Sequence, residues 1–256
     1  MSPYRPCILI PTYDNPRTVR DVVLRAREHL TDVVVIDEGS GPDGRAAVEA
    51  LGREGLAHVT HRAKNGGKGA AMKTGFLFAR ELGYTHAVQV DADGQHALED
   101  IPELLRVSRG EPGALILGRP QYDSSAPIGR RLARNITIFW THVEAGWGVI
   151  ADAMCGFRVY PLDAALRVCT SCGDRMDFDP EVAVRIAWTG APVVNVPTKV
   201  RYIEGGVSHF KLFLDNWLIS KMHTRLVWRR VWCAILRRPL VPALAGPPAR
   251  RELVDR

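Results

Sequence analysis

The segment Val88–His96 of this chain reads VQVDADGQH, an apolar run that stops at two aspartates, Asp91 and Asp93. The residues from His86 to Val90 alternate and are rich in β-forming side chains, so they predict a short strand that ends at Asp91. Open α/β sheets bind their ligands beyond the carboxyl ends of their strands. The segment therefore predicts a strand of such a sheet and a polar site directly after it.

Asp91, Asp93 and Gln95 present oxygen atoms in this short loop. Two carboxylates two residues apart can reach one hard cation, and Gln95, another two residues on, adds a neutral oxygen. An all-oxygen set suits Mg²⁺ or Mn²⁺ and leaves positions for phosphate oxygens. The alternative is a plain turn that ends the strand, because a D-x-D pair is common. The neighbouring loops have to decide between the two.

Three further units of strand, polar loop and helix precede this segment. The strands are predicted at Cys7–Ile10, Val33–Ile36 and Val59–His61, with helices over residues 18–29, 45–54 and 70–82. Four strands that alternate with helices predict a parallel sheet with right-handed crossovers, so that all four loops emerge along one edge. This arrangement places Tyr13, Asp37, Lys68 and Asp91 around one crevice.

The chemistry of these loops suits a nucleotide sugar. Asp37 and Glu38 can accept hydrogen bonds from a base and a ribose, and Tyr13 can stack. Lys68 can meet negative charge, while the D-x-D pair can hold a metal on a diphosphate. Each loop also has a plain interpretation as a helix cap or a flexible turn, and the glycines before Lys68 lack the spacing of a P-loop. Four such loops on one edge favour the nucleotide-sugar site.

The positive charge of the chain is concentrated near its end. The chain has 256 residues, 46% of them hydrophobic, which is enough for one large domain or one domain with an appendage. The formal charge is +6, and from Lys221 onward nine Lys and Arg residues accompany two acids, so the preceding chain is close to neutral. A nucleic-acid protein more often spreads its charge over a folded face, so we predict no nucleic-acid partner. An anionic membrane surface is the alternative partner of the basic end.

The cysteines and the apolar segments predict the location. Five cysteines without framework spacing favour a reducing, cytoplasmic environment, and we interpret Cys169-x-x-Cys172 as structural because no second metal or redox pair accompanies it. The amino terminus leads directly into a strand without a signal peptide, and no window of about 18 uncharged apolar residues predicts a spanning helix. We expect a soluble protein, or one peripheral on the inner face of the cell membrane.

Six motifs in order and spacing resemble one family. They are P-T-Y from Pro11, I-D-E-G-S from Ile36, N-G-G-K-G-A-A from Asn65, D-A-D-G-Q-H from Asp91, G-R-x-x-Y from Gly118 and D-A-M-C-G-F-R-V-Y-P from Asp152. Over residues 5–225 the chain resembles the family 2 glycosyltransferases of the GT-A fold, specifically the dolichyl-phosphate mannosyltransferase-like branch. The resemblance implies a Rossmann-like, mostly parallel sheet flanked by helices.

The resemblance also implies roles for individual residues. The residues expected at the donor are Pro11, Tyr13, Asp14, Asn15, Asp37, Glu38, Lys68, Asp91, Ala92, Asp93, Arg119, Arg201 and His209. Asp91, Asp93 and Gln95 would take the metal, and Arg119 and Arg201 would stabilise the leaving group. Asp179 and Glu181 lie on the acceptor side as a candidate base or metal-adjacent acids. His209 stands where the family usually carries a lysine.

We expect three regions in the chain. They are a GT-A domain over residues 1–207, a helical extension over 208–236 and a flexible, basic, Pro-rich tail over 237–256. The helix predicted over residues 129–149 carries scattered aromatic side chains, and we interpret it as core-packing, with a membrane-facing helix as the alternative.

Further elements are predicted in the second half of the chain. Strands are predicted at Met154–Tyr160, Val193–Val196 and Val200–Tyr202, and a helix is predicted from Asp177 to about Thr189. Gly156 marks a tight position in the first of these strands, and Arg158 is interpreted as structural support or as a phosphate contact.

Together with the resemblance, the site residues predict a metal-dependent inverting glycosyltransferase that moves a hexose from a UDP- or GDP-sugar, and the resemblance implies a polyprenyl phosphate or related lipid as the acceptor. Transfer to a sugar or lipid hydroxyl, which needs a carboxylate base, is an alternative. A non-catalytic nucleotide or anionic-lipid binding module is another, although a phosphate binder has little reason to gather carboxylates. A nucleotidyltransferase would carry glycines after its first strand, and Pro11–Pro16 contains none.

Overall fold

A computed structural model describes residues 3–121, 128–199 and 211–241 of the chain. Within these ranges the strands are β1 (Pro6–Thr12), β2 (Val33–Asp37), β3 (His58–His61), β4 (His86–Gln89), β5 (Leu115–Gln121), β6 (Arg158–Pro161) and β7 (Val193–Lys199). The α-helices are α1 (Val19–Arg27), α2 (Pro42–Arg53), α3 (Lys68–Glu81), α4 (Ile101–Gly110), α5 (Ile128–Ala145), α6 (Leu162–Val168), α7 (Phe178–Trp188) and α8 (Leu212–Ile235). Strands and helices alternate through α4, which confirms the predicted α/β class.

The strands form one sheet of seven in the order β3-β2-β1-β4-β6-β5-β7. β1 pairs in parallel with β2 and β4, and β2 pairs in parallel with β3. β6 runs antiparallel to β4 and β5, and β5 pairs in parallel with β7. The predicted parallel half is confirmed, and the loops after β1 to β4 lie at one edge of the sheet.

A hydrophobic core lies on each face of the sheet, because successive residues of a strand point to opposite sides. In β1, Cys7 and Leu9 pack with α3, α6 and α7, whereas Ile8 and Ile10 pack with α1, α2 and α4. All four side chains are fully buried. Burial on both faces explains why β1 and β2 are nearly continuous apolar runs.

Cys169 and Cys172 follow α6 as buried free thiols. Burial raises the pKa of Cys169 to about 12, which keeps the thiol protonated. Protonated, buried thiols are unreactive, in agreement with a structural role for this pair.

The structure differs from the predicted elements in several places. α4, β5 and α6 were not predicted. β6 begins at Arg158 rather than at Met154, because Asp152 Oδ1 accepts the backbone N–H groups of Met154 and Cys155 and holds them in a turn. The predicted strand Val200–Tyr202, the predicted domain boundary near residue 207 and most of the predicted tail over 237–256 lie outside the described residues.

The aromatic side chains of α5 do not enter the core. Phe139 is 49% exposed, Trp140 is 38% exposed, and Trp147 just after the helix is 73% exposed. The buried side of α5 carries polar residues, among them Thr141 and Glu144. The helix therefore packs against α7 and α8 through a face of polar contacts, and its aromatic side chains lie outside the core.

One of those polar contacts belongs to α8, which is tied to the rest of the protein by its basic residues. His223 Nδ1 lies 2.7 Å from Glu144 Oε1 of α5, and both residues are buried. Arg225 pairs with Glu181 of α7, and Arg230 donates to the carbonyl of Glu144. In the parts of the chain that the structure describes, no helix has the length and apolar character needed to span a membrane.

Candidate active site

The loop after β1 is hydrogen-bonded to the loops after β2 and β4. Asp14 Oδ1 accepts the backbone N–H of Gly41 at 2.8 Å, and the backbone N–H of Asp14 donates to Ser40 Oγ at 2.9 Å. Thr18, directly before α1, donates from its hydroxyl to the carbonyl of Ala92 at 2.7 Å. These contacts hold three of the four predicted loops together, and Asp14 and Ala92 are parts of that framework.

The loop after β2 holds the glycine loop after β3. The buried carboxylate of Glu38 accepts the backbone N–H groups of Gly66, at 2.5 Å, and Gly67, at 3.0 Å, and it lies 3.1 Å from Arg62 Nε. Burial raises the pKa of Glu38, and these donors oppose that effect. Gly67 has a φ of 106°, a conformation that favours glycine. Glu38 thus fixes the turn that presents Lys68 at the start of α3.

Lys68 lies between two carboxylates at the centre of the loop edge. Its Nζ is 2.8 Å from Asp91 Oδ1, after β4, and 2.8 Å from Asp179 Oδ2, in the first turn of α7. Burial lowers the pKa of Lys68, but the two carboxylates outweigh burial and raise it. Burial likewise acts to raise the pKa of Asp91, and Lys68 outweighs it and lowers that pKa to about 2. At neutral pH the site therefore holds the Lys68 ammonium against the ionised Asp91, with Asp179 on its other side.

His96 supports Asp91 from the other side and was given no role by the sequence reasoning. The backbone N–H of Asp91 donates to His96 Nδ1 at 3.2 Å, and the His96 ring stacks on Phe157 with 5.0 Å between centroids. Burial lowers the pKa of His96, so that the imidazole is neutral at pH 7. The signal was a histidine five residues after Asp91 in the same segment.

Arg158 is a fully buried residue next to the site. Its guanidinium donates to the carbonyls of Cys155, at 2.6 Å, and Asp179, at 2.5 Å, and also to the carbonyl of Ala153. Sequence reasoning left Arg158 open as a structural or a phosphate-binding residue. Because it donates to these backbone oxygens and to the Tyr160 hydroxyl, Arg158 has a structural role.

Gly156 borders the two charged groups and was predicted only as a tight spot. A β-carbon at this position would lie 2.8 Å from Asp91 Oδ2 and 2.9 Å from Lys68 Nζ. Such separations are too short for a real contact, so any side chain at Gly156 would displace the ion pair.

The residues predicted to bind a metal have suitable chemistry. Asp93 and Gln95 are half-buried, and Asp93 Oδ1 accepts the backbone N–H of Gln95 at 3.0 Å. Among the described residues, Asp91 Oδ1 is a buried oxygen without a directed hydrogen bond, although Lys68 lies close to it. No group of three or more His, Cys, Asp and Glu side chains in the described ranges forms a metal site by itself. Two carboxylates and one amide oxygen fit a divalent cation that also takes oxygens from phosphate and water.

Other predicted donor-side residues lie along the same edge. Asp37 is 1% exposed, accepts the backbone N–H of Ser40 at 3.0 Å and lies 2.9 Å from His61 Nδ1. Pro11 is buried in β1, and Tyr13 is half-buried after it.

Four further residues were predicted at the donor. Asn15 Nδ2 donates to the carbonyl of Tyr13 at 3.0 Å, within the loop after β1. Arg119 is exposed in the second half of β5. Arg201 and His209 lie outside the described residues.

Glu181 stands in the same helix as Asp179 but contacts other residues. It is fully buried, accepts the backbone N–H of Gly173 at 2.9 Å and pairs with Arg185 at 2.7 Å. Arg225 of α8 completes the set. The structure thus places Asp179 at the site and Glu181 in the packing of α7 against α8.

Comparison with known proteins identifies the family. The family model described as glycosyl transferase family 2 matches residues 7–165. The chain belongs to glycosyl transferase family 2. The polyprenol monophosphomannose synthase of Mycolicibacterium smegmatis is 31% identical over 222 residues, which cover 80% of each chain. The undecaprenyl-phosphate mannosyltransferase of Micrococcus luteus is 27% identical over 214 residues, covering 80% of this chain and 86% of the relative.

A solved structure supports the same assignment at the level of the fold. Glucosyl-3-phosphoglycerate synthase from Mycobacterium tuberculosis, in complex with Mn²⁺, UDP and phosphoglyceric acid, matches with a TM-score of 0.67 and 13% identity over 88% of this chain and 79% of that chain. The predicted GT-A fold and family resemblance are confirmed, and this family 2 member is a glycosyltransferase.

Proposed function

We propose that this glycosyltransferase moves a hexose from a nucleotide-diphospho-sugar to a polyprenyl phosphate, with inversion at the anomeric carbon. Two findings support the proposal. The hydrogen-bonded loops collect Tyr13, Asp37, Lys68 and Asp91 at one edge of the sheet, and the relatives quoted above are named as mannosyltransferases of polyprenyl phosphates.

The donor would lie across this edge with its base toward Tyr13 and Asp37 and its diphosphate toward Lys68. Mg²⁺ or Mn²⁺ held by Asp91, Asp93 and Gln95 would neutralise charge on the leaving diphosphate. Lys68 supplies a fixed ammonium for the same purpose, because two carboxylates hold it in place. Arg119 is the proposed additional cation near the phosphates, together with Arg201 and His209 from the undescribed segment.

The surroundings of the two predicted bases, Asp179 and Glu181, favour one acceptor over the other. A hydroxyl acceptor needs a carboxylate that can take its proton, whereas a phosphate arrives ionised. Asp179 is buried against Lys68 and Gln89, and Glu181 is buried against Arg185 and Arg225. Because both carboxylates are buried and held by donors of the protein, neither is open to the hydroxyl of an acceptor, which favours the phosphate over a sugar or lipid hydroxyl.

We further propose that α8 lies on an anionic membrane surface. Trp217, Trp228 and Ile235 are 59%, 67% and 67% exposed, and their spacing of eleven and seven residues places them on one stripe of the helix. Lys221 lies on this stripe with its Nζ 5.1 Å from the Trp217 ring. Exposed aromatic side chains beside basic ones suit the headgroup region of an anionic bilayer, where a lipid acceptor is found.

A panel of UDP- and GDP-hexoses with Mn²⁺ or Mg²⁺ tests the proposal, with undecaprenyl phosphate and undecaprenol as matched acceptors. The two acceptors differ only in the phosphate. We expect one donor class to give glycosylated product with the phosphate and none with the alcohol. Equal transfer to the alcohol would show that a hydroxyl is the acceptor, and absence of transfer from every donor would reject the donor class.

A further inference from the structure

Gln89 is a fully buried amide in β4, two residues before Asp91. A buried amide needs partners for its carbonyl oxygen and for two N–H donors. Gln89 lies opposite Arg158 in the antiparallel pairing of β4 with β6, and the hydroxyl of Tyr160 lies 3.1 Å from Gln89 Oε1. Arg158, Tyr160 and Gln89 thus form a buried polar row that leads toward the site.

Arg158 determines which group donates and which accepts in each hydrogen bond of this row. A guanidinium can only donate, and Arg158 Nη1 lies 3.2 Å from the Tyr160 hydroxyl, so the hydroxyl oxygen accepts. Burial raises the pKa of Tyr160, and the hydroxyl keeps its proton. That proton is donated to Gln89 Oε1, which turns the amide nitrogen of Gln89 the other way. Arg158 therefore orients Gln89 through Tyr160.

The amide nitrogen of Gln89 faces both acids of the site. It lies 3.4 Å from Asp179 Oδ1. The Gln89 side chain also acts to lower the pKa of Asp91 through hydrogen bonding. Lys68 Nζ contacts the same two carboxylates. A β-carbon on Gly156 would lie 2.9 Å from both Gln89 Nε2 and Lys68 Nζ, so the glycine leaves room for the two donors side by side. One cation and one oriented amide hold the pair of acids.

We propose that Gln89 is a positioning residue that holds Asp91 and Asp179 at the spacing that keeps the Lys68 ammonium between them. With its amide reversed, Gln89 would turn a carbonyl oxygen toward two carboxylates and repel them. Loss of the row would misplace Lys68 and Asp91 without removing any charge from the site. The inference rests on the proposed function, in which Lys68 and Asp91 face the donor diphosphate.

The test compares Gln89→Met, which keeps the volume but removes both donors, with Tyr160→Phe and with the double variant. Tyr84→Phe is the matched control, because Tyr84 is a buried tyrosine whose hydroxyl donates to Asp32 Oδ1 at 2.8 Å before the opposite end of β4. The measurements are kcat, donor KM, melting temperature and the affinity for Mn²⁺ by calorimetry.

Each single change in the row should lower kcat about tenfold, with donor KM within about threefold of wild type. The double variant should lose no more than Gln89→Met alone, because Tyr160 acts through Gln89. Tyr84→Phe should keep kcat within about twofold at a similar loss of melting temperature. Wild-type kcat in both single variants, multiplied losses in the double variant or an equal loss in Tyr84→Phe would each overturn the inference.

The Mn²⁺ titration separates this inference from the proposed function. If the wild-type chain transfers no hexose from any donor, the proposed function is wrong. Gln89→Met and the double variant should still bind Mn²⁺ about tenfold more weakly than wild type, since Asp91 loses its orienting amide. Unchanged Mn²⁺ affinity in both would overturn the role of Gln89 in that case.

Discussion

Asp91 and Asp93 stand two residues apart but have different surroundings. Asp91 is paired with Lys68, and its pKa is lowered to about 2 by that ammonium against the opposing effect of burial. Asp93 is half-buried, and its Oδ1 accepts the backbone N–H of Gln95. At the residue scale, Asp93 is the better reporter of metal binding, since its replacement leaves the ion pair of Lys68 in place.

We expect Asp93→Asn to lower kcat about a hundredfold or more at a nearly unchanged melting temperature, because a neutral amide supplies no charge to a divalent cation. Activity titrated with Mn²⁺ and thermal unfolding measure the two quantities. Asp43→Asn, at the exposed start of α2, is the charge-matched control. Full activity of the wild-type enzyme in excess chelator would contradict the metal site.

Lys68→Met should destabilise the fold in a pH-dependent way. In the wild type, the lowered pKa of Asp91 contributes stability that is present above its ordinary value of 3.8 and is lost as the pH falls toward 2. Without the ammonium, burial raises the pKa of Asp91, so the variant gains stability as it takes up a proton. We expect a loss of about 3 kcal/mol at pH 7 that shrinks by pH 4.

Urea unfolding at the two pH values measures this difference in the free energy of unfolding. Lys64→Met, an exposed lysine in the same loop, is the control and should change little at either pH. A loss for Lys68→Met that stays constant from pH 7 to pH 4 would show that the lysine does not stabilise the site through charge.

Gly156→Ala tests the space beside the ion pair. A β-carbon there would lie 2.8 Å from Asp91 Oδ2, whereas one on Gly113 meets no atom within 4 Å. We expect Gly156→Ala to cost about 1–3 kcal/mol in the free energy of unfolding and to lower kcat, because Asp91 and Lys68 must move. Gly113→Ala should do neither. Equal kinetics for the two variants would mean that the site tolerates displacement of Asp91.

At the scale of elements, α7 carries two acids with separate tasks. Asp179 faces Lys68 and Gln89 at the loop edge, and Glu181 joins α7 to α8 through Arg225. The residues are two apart in a helix, so their side chains point to different neighbours. The helix therefore links the site to the packing of the basic α8.

We expect Glu181→Gln to destabilise the protein by about 3 kcal/mol while the folded fraction keeps its kcat, because two arginines lose their buried partner.

Asp179→Asn should lower kcat by about tenfold and leave nucleotide affinity unchanged, since the amide oxygen still accepts from Lys68. Steady-state kinetics and chemical unfolding distinguish these effects. A loss of more than about a hundredfold in kcat for either variant, at unchanged nucleotide affinity, would indicate a general base and rule out the phosphate acceptor.

At the scale of the whole molecule, the charge of +6 and the exposed aromatic residues of α8 predict association with a membrane. Cosedimentation with liposomes that contain anionic lipid should be strong at low salt and should fall as salt rises. The double variant Trp228→Gln/Trp232→Gln should bind more weakly, because both rings are exposed, at 67% and 60%.

Leu24→Gln is the matched control, since Leu24 is a 42% exposed apolar residue on α1, away from α8. It should bind liposomes as the wild type does. Protein that stays in the supernatant at every lipid composition and salt concentration would reject the membrane surface without affecting the proposed chemistry.

The sequence by itself determined the parallel half of the sheet and the loops that bear the site. Apolar runs such as Cys7–Ile10 and Val33–Ile36 can be recognised as strands from a short stretch of sequence, because a strand buried on both faces needs continuous apolar residues. The position of Asp91 at the end of such a run followed from the same local pattern. The parallel direction of the strands and the handedness of the crossovers then sufficed to predict that four loops lie at one edge, although no contact was known.

Only the tertiary structure decided which charges meet. Lys68 contacts Asp179 from the second half of the chain. Glu38 accepts hydrogen bonds from the backbone of Gly66 and Gly67, and Glu181 forms ion pairs with arginines of α7 and α8. No local pattern distinguishes an acid that faces a ligand from one that faces a buried donor, since both are acids in polar loops or first helical turns. The distinction depends on which distant donor packing brings within about 3 Å, and packing is a property of the whole fold.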